Sequence, residues 1–385
     1  MSLATFKHTK ISGISVVVPE KEINIYDEAE YYGGSVKKID RMRKMVGFWK
    51  RRVVEEGVTA SDLSVQAANQ LICDMNIDKN TIDALVFVVQ RPDYSAPATA
   101  FYIHNKLGLS SSCPAMDIKQ GCPGWIYGLW TTSQMIESGT CKKILLLVGD
   151  TPSAGMDLSN RISAPVFGDG GVATLIEYSN EEILSYYNIE TQSKDYEAII
   201  TPASGARLRF KRDNKEFNKK LKKPIKTPSG YFTKLTYGYM DGLAVFDFTI
   251  NQVPNSIKKI MEYSNITEEK VEKLLLHQAN KQIIQAVAAA SGYPVEKAPY
   301  DAFENFGNNT MCSIPTTINY LYKDKMYNDK QFVCSAFGNG LTVASAVLTF
   351  SKDIYLSGVI NYKKPEDFKT EDELIEYWTH KLKTK

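Results

Sequence analysis

At 385 residues the chain exceeds the size at which one hydrophobic core usually keeps growing, so two halves are expected. Its 43% hydrophobic and 23% charged content is ordinary for a globular chain, and a net charge of +2 argues against wholesale binding to nucleic acid or a membrane surface. Six cysteines (Cys73, Cys113, Cys122, Cys141, Cys312 and Cys334) show neither C-x-x-C nor metal-finger spacing. The opening MSLATFKHTK lacks a signal peptide's apolar core, and no apolar run reaches the ~18–20 residues that span a bilayer. Free thiols and a cytoplasmic location are the expectation.

The first apolar, β-rich run is Ile11–Val18. Ser61–Met75 follows with helical spacing, then the candidate strands Ala84–Gln90 and Ala115–Ile118. Trp125–Ser138 reads as a helix, and Lys143–Val148 and Ala173–Tyr178 as strands. Further on come a helix at Val253–Ser264, a strand at Lys273–His277 and a helix at Lys281–Ser291, followed by the strands Phe332–Ala336 and Thr342–Phe350. Continuous hydrophobic strands suit a sheet covered on both faces by helices, so the class is α/β.

Residues 167–176 read FGDGGVATLI and residues 337–348 read FGNGLTVASAVL. Both are Phe-Gly-x-Gly turns feeding a β-branched strand, 170 positions apart, which points to a duplicated βα fold. The first turn also fits the relaxed dinucleotide fingerprint G-x-G-x-x-A, but that motif should open a helix, and strand-like sequence follows here. The expected division is residues 1–180 and 181–351 for the two halves, with a basic insertion near 205–235 and a C-terminal extension at 352–385. Within the insertion, RLRFKRDNKEFNKKLKKPIK (Arg207–Lys226) holds ten basic residues against two acids. Nothing in the extension suggests chemistry.

Cys122 lies in DIKQGCPGWIYGLW, where a strand runs into a Gly-Cys turn and a helix begins almost at once. A sulfur at a helix N-terminus is favoured as thiolate, the reactive form, and Gly121 and Gly124 would keep its approach open. Of four histidines, only His277 ends a strongly apolar strand, in LLLHQAN. A side chain there faces the crevice where α/β proteins bind ligands. Asn308, in ENFGNNTMCSIP, reads by itself as turn chemistry, and Asn280 as a helix cap.

Taken together, G-C-x-G-x-x-Y, HQAN, the Gly-Asn turn and A-F-G-x-G-x-T occur in an order that resembles the β-ketoacyl-acyl-carrier-protein synthase III family of the thiolase fold. The resemblance runs from about Ile11 to Phe350. It implies a five-layer αβαβα body, a homodimer, and no metal or organic cofactor beyond thioester substrates. It also implies that Cys122 accepts an acyl group from acyl-CoA and that His277 and Asn308 complete a triad. A malonyl thioester on coenzyme A or on an acyl carrier protein would then condense with loss of carbon dioxide. By the same match the amides of Cys122 and Asn339 form an oxyanion hole. Arg161 contacts coenzyme A, Gly242 and Phe246 line the pantetheine tunnel, and Asn280 belongs to the substrate site.

Three positions depart from that pattern. Met45-Val-Gly-Phe48 stands where the family has R-T-G-I, Gln282 replaces a basic residue after HQAN, and Ala96 replaces a large aromatic of the acyl pocket. The smaller Ala96 leads us to expect a longer or bulkier acyl chain than acetyl. The rival readings are a thiolase-fold acyltransferase that acylates a hydroxyl or amine without decarboxylation and, more remotely, a papain-like cysteine peptidase. A hydroxymethylglutaryl-CoA synthase would need a glutamate base where this chain offers only Asp93.

Overall fold

The computed structural model describes residues 3–156, 164–203, 205–211, 213–227, 230, 232–323 and 330–384. The first sheet contains β2 (Thr9–Val18), β3 (Ala84–Val89), β4 (Ala115–Lys119), β5 (Lys143–Asp150), β6 (Gly170–Tyr178) and β11 (Tyr355–Asn361), in the order β11-β2-β6-β5-β3-β4. The second contains β1 (Leu3–Phe6), β7 (Ser185–Thr191), β8 (Val271–Leu276), β9 (Lys330–Gly338) and β10 (Thr342–Phe350), in the order β1-β7-β10-β9-β8. In each sheet two antiparallel pairings lead to a parallel one: β2, β6, β5, β3 in the first and β7, β10, β9, β8 in the second. The two Phe-Gly-x-Gly turns enter equivalent strands, β6 and β10, as a duplication requires.

Three helical layers complete the body. Helices α1 (Ala60–Asp74) and α2 (Thr99–Leu107) cover the outer face of the first sheet, where Leu63, Ala67, Leu71 and Ile103 meet Leu85, Phe87, Leu145 and Leu147. Between the sheets lie α3 (Gly124–Glu137) and α7 (Ser313–Tyr322). There Trp125, Ile126, Leu129, Ile314 and Ile318 share one core with Val86, Leu146, Phe332 and Ala346. The outer face of the second sheet is covered by α5 (Gly242–Ser264) and α6 (Lys281–Ala290), through Val253, Ile257, Ile260, Ile284 and Val287. The stacking is αβαβα.

Helix α5 starts eleven residues before the helix expected at Val253. Asp241 caps it by accepting from the Leu243 and Ala244 N–H groups at 3.1 and 3.0 Å, while Pro254 lies inside it rather than at its first turn. The residues after Lys352 do not all stand apart from the body. Strand β11 pairs in parallel with β2 and completes the first sheet, and only the segment with α8 (Glu371–Thr384) lies outside the layers, with Ile375 and Leu382 exposed. The basic insertion is a closed arm whose base is the ribbon Ile199–Ile200 against Tyr239–Met240. Its helix α4 (Lys215–Lys222) is capped by Asn214 and has Leu221 buried. No helix among the described residues is long and apolar enough to cross a membrane.

Trp125 is fully buried in the middle layer, with its indole N–H donating to Thr174 Oγ1 at 3.1 Å. Trp125→Ala is expected to cost about 3–5 kcal/mol of stability. Guanidinium denaturation followed by circular dichroism measures it, and a loss under about 1 kcal/mol would mean that this layer does not hold the sheets together.

Candidate active site

Cys122 stands at the crest of a tight turn closed by the Gly124 N–H donating to the Gly121 carbonyl at 2.8 Å. Helix α3 follows at once, with Pro123 as its N-cap. The turn between β9 and β10 presses against it. A methyl group on Gly338 would sit 3.1 Å from Cys122 Cβ and 3.3 Å from Sγ, and one on Gly121 would overlap the Asn339 side-chain oxygen. The Gly338 main chain thus lies against the Cys122 side chain and the Gly121 main chain against the Asn339 side chain, close approaches that only glycine permits. Gly124 has a different role from the one expected. It lets α3 start against the core, since a methyl there would lie 2.9 Å from Val88 and 3.2 Å from Met311.

His277 follows the last residue of β8, with its N–H donating to the Ser335 carbonyl at 2.9 Å. Its ring is buried, stands edge-on to Phe337 at 5.4 Å between centroids, and places Nδ1 2.9 Å from Ser313 Oγ. Asn308 is held by main chain from the other half. Its N–H donates to the Val166 carbonyl at 2.7 Å, and its carbonyl accepts from the Gly168 N–H at 3.0 Å. Its side-chain oxygen accepts from the Thr310 N–H at 3.0 Å, which leaves the amide's NH2 as the donor edge. Thr310 adopts φ 52°, a left-handed conformation rare for a β-branched residue. Its main chain also lies where it favours the protonated His277 ring. Neighbouring residues therefore tie the site together: Phe337 touches His277, Gly338 touches Cys122, Thr310 hydrogen-bonds Asn308, and Ser313 hydrogen-bonds the His277 ring.

Burial pushes the Cys122 thiol up to about 12, and the negative charge of Asp150 acts in the same direction. That opposes the expected thiolate, although the Cys122 residue keeps some exposed surface. A helix terminus contributes roughly 0.3–1 kcal/mol at exposed sites, less than removal of a charge from water takes away. Asp150 itself is fully buried and receives two hydrogen bonds from Arg91 Nη1, at 2.9 and 3.0 Å. Burial also lowers His277, to about 4, against the opposing effect of the Thr310 main chain. At neutral pH these shifts favour a protonated sulfur and an unprotonated imidazole.

The structure records no contact with this cluster for the remaining expected positions among the described residues. Asn280 caps α6, accepting from the Ile283 N–H at 2.8 Å, so its oxygen is occupied. Gly242 begins α5 facing open space and Phe246 is 43% exposed, which puts both at an outer rim. Ala96 is exposed. Arg161 lies outside the described residues. Gln282 is exposed on α6, and Met45–Phe48 forms a helix end, with Gly47 at φ 89° and Phe48 buried against Phe303. Asp93 receives a hydrogen bond from Ser61 Oγ at 2.5 Å, at the start of α1. Gly170 opens strand β6 and no helix, which removes the dinucleotide reading. Ser313, Thr310 and the Arg91–Asp150 pair were not singled out from sequence. Of these, only Asp150, an acid ending the apolar run ILLLVGD, carried a signal.

The layered, duplicated architecture is that of the thiolase fold. The family model described as 3-oxoacyl-[acyl-carrier-protein (ACP)] synthase III matches residues 116–194, and its C-terminal counterpart matches residues 261–350. A Campylobacter jejuni protein provisionally named 3-oxoacyl-[acyl-carrier-protein] synthase 3 is 37% identical over 362 residues, 93% of this chain and 98% of the relative. The Aliarcobacter butzleri β-ketoacyl-[acyl-carrier-protein] synthase III is 31% identical over 80% of this chain and 88% of its own. Among solved structures, the 3-oxoacyl-(acyl-carrier protein) synthase of Burkholderia xenovorans superposes with a TM-score of 0.84 at 29% identity, covering 93% of this chain and 98% of that one. The chain belongs to the 3-oxoacyl-[acyl-carrier-protein] synthase III family of condensing transferases, and the papain-like reading falls with the fold.

A thiol raised to about 12 should be alkylated by iodoacetamide at a rate that climbs with pH through 9 without levelling. Peptide mass mapping of Cys122 across pH 6–10, roughly the range of thiol titration, measures this. A plateau near neutrality would show a preformed thiolate.

Proposed function

We propose that this chain joins an acyl group to a malonyl unit by decarboxylative Claisen condensation, using only thioester substrates. The reading rests chiefly on the contact network in which Phe337, Gly338, Thr310 and Ser313 draw Cys122, His277 and Asn308 to one point. In the first half-reaction the Cys122 sulfur attacks the acyl-CoA carbonyl. Its proton passes to neutral His277 and from there to the departing coenzyme A thiolate. The carbonyl oxygen becomes negative and is held by the Cys122 and Asn339 amides.

In the second half-reaction the malonyl carboxylate leaves as carbon dioxide, and its bonding electrons form an enolate. In the first half-reaction the His277 ring carries its proton on Nδ1, donating to Ser313 Oγ, so Nε2 accepts the sulfur's proton. In the second, the tautomer with Nδ1 accepting from Ser313 and the proton on Nε2 donates, with the Asn308 NH2, to the enolate oxygen. The enolate carbon attacks the acyl-Cys122 carbonyl. Collapse expels the sulfur, which takes a proton from solvent.

Acyl-CoA is the donor, and the malonyl unit comes on coenzyme A or an acyl carrier protein. The small Ala96 fits a longer or bulkier acyl chain than acetyl. A homodimer belongs to this reading and is supported by β4, an edge strand of the first sheet that carries exposed Met116 and lies beside α2 with exposed Phe101.

Intact-protein mass spectrometry with an acyl-CoA should show one acyl adduct, absent in Cys122→Ala. Asn308→Ala should still acquire the adduct but release carbon dioxide from a malonyl thioester about 10²–10³-fold more slowly, whereas His277→Ala should slow both steps. Because His277 is lowered to about 4, acylation should persist through mildly acidic pH and fail as pH drops through that value, where the ring gains a proton. An adduct on Cys122 with no carbon dioxide release in wild type would favour transfer to a hydroxyl or amine instead.

A further inference from the structure

The arm between the ribbon strands at 199–200 and 239–240 carries the strongest charge in the molecule. Arg207–Lys226 is net +8 in a chain of net +2, so everything else together is net −6. Within α4, Lys215, Lys219 and Lys222 follow i, i+4, i+7 spacing and are exposed, whereas Phe217 and Leu221 lie on the opposite face, with Leu221 buried. The helix is anchored as well as capped. Asn218 brackets the Lys211 main chain, accepting from its N–H at 2.8 Å and donating to its carbonyl at 2.7 Å. Among the described residues, the only carboxylate within ion-pair reach of an arm cation is that of Glu216, 3.8 Å from Lys220. A stable, outward lysine face without internal counter-charge is built for an external anionic surface.

Its position relates that surface to the chemistry. The base of the arm leads directly into Asp241 and the start of α5, which packs on β9 and β10, the strands flanking the Gly338–Gly340 turn. On the other side, the Gln192 N–H that precedes the arm donates to the Leu341 carbonyl at 2.8 Å, immediately after that turn. Exposed apolar side chains continue from the arm to this rim: Phe232, Met240, Leu243 and Phe246. Exposed apolar side chains and exposed lysines on one continuous stretch of chain are the composition of a transient protein-docking face.

We infer that the outward lysine face of α4 is the docking surface for the acidic carrier protein that delivers the malonyl thioester. This rests on the proposed condensation. It adds that the carrier is read through the insertion, and that malonyl-CoA, which lacks the acidic protein, does not use it. An anionic bilayer is the competing occupant.

The test compares the full chain with a variant carrying Lys215→Glu, Lys219→Glu and Lys222→Glu. Wild type must first form the Cys122 adduct and release carbon dioxide, which checks the proposed function separately. With malonyl-loaded bacterial acyl carrier protein, kcat/KM should fall about tenfold or more in the variant, mostly through KM, and wild-type turnover should weaken with salt. With malonyl-CoA it should stay within about twofold, showing that the fold and the Cys122 site are intact. Unchanged turnover of the carrier substrate would overturn the inference, as would parallel losses on both substrates. Wild-type co-sedimentation with phosphatidylglycerol vesicles, lost in the variant while carrier kinetics hold, would assign the face to a membrane.

Discussion

The site depends on a place where main chains from the two halves touch without side chains between them. Asn308 is hydrogen-bonded on both sides to the turn that ends in Gly168, and a methyl group on Gly168 would overlap the Phe306 carbonyl. Gly307, at φ 73°, is the other side of the same crossing. A hydrogen-bonded crossing fixes direction as well as distance. It sets the plane of the Asn308 amide and begins the turn in which Thr310 takes its left-handed conformation and Ser313 comes under His277. The Gly338–Cys122 contact performs the same service on the sulfur side. A strand pair and two glycine turns thus replace the substrate as the element that brings the three groups together.

That closeness has an electrostatic consequence. A dry site penalises every charge, which favours a protonated sulfur and an unprotonated imidazole. Neutral partners suit chemistry in which negative charge passes from a sulfur to an ester oxygen, then to an enolate and back. Each charge then appears only when fixed N–H donors are ready to receive it. The fully buried Asp150, paired with Arg91, reinforces this by opposing ionisation of Cys122.

Much of this was legible in the sequence because it rests on patterns with a fixed period or a required residue type. The eight expected strands follow continuous apolar runs, and the two Phe-Gly-x-Gly turns disclosed the duplication. Cys122 and His277 stood out through a Gly-Cys turn and a strand end, whereas Asn308 read as a turn residue and was singled out only by the family resemblance. Strands β7 and β11 were missed because SYYNIET and YLSGVIN mix polar and apolar residues. The start of α5 was missed because Pro254 resembles a first-turn proline. Thr310 gave no sign, since its backbone conformation is imposed by the crossing against its own preference. The thiolate expectation is opposed by burial, which sequence does not show as it shows a helix terminus.

The arm and the start of α5 carry charge and apolar surface left unsatisfied within the chain, which is why the carrier is proposed to dock there. Most direct for the central claim is a crystal structure of the enzyme acylated on Cys122. The acyl carbonyl oxygen should lie about 2.7–3.1 Å from both the Cys122 and Asn339 amide nitrogens, with His277 and Asn308 on the opposite side of the thioester. An acyl oxygen pointing away from both amides, or an acyl group carried on another residue, would contradict the account.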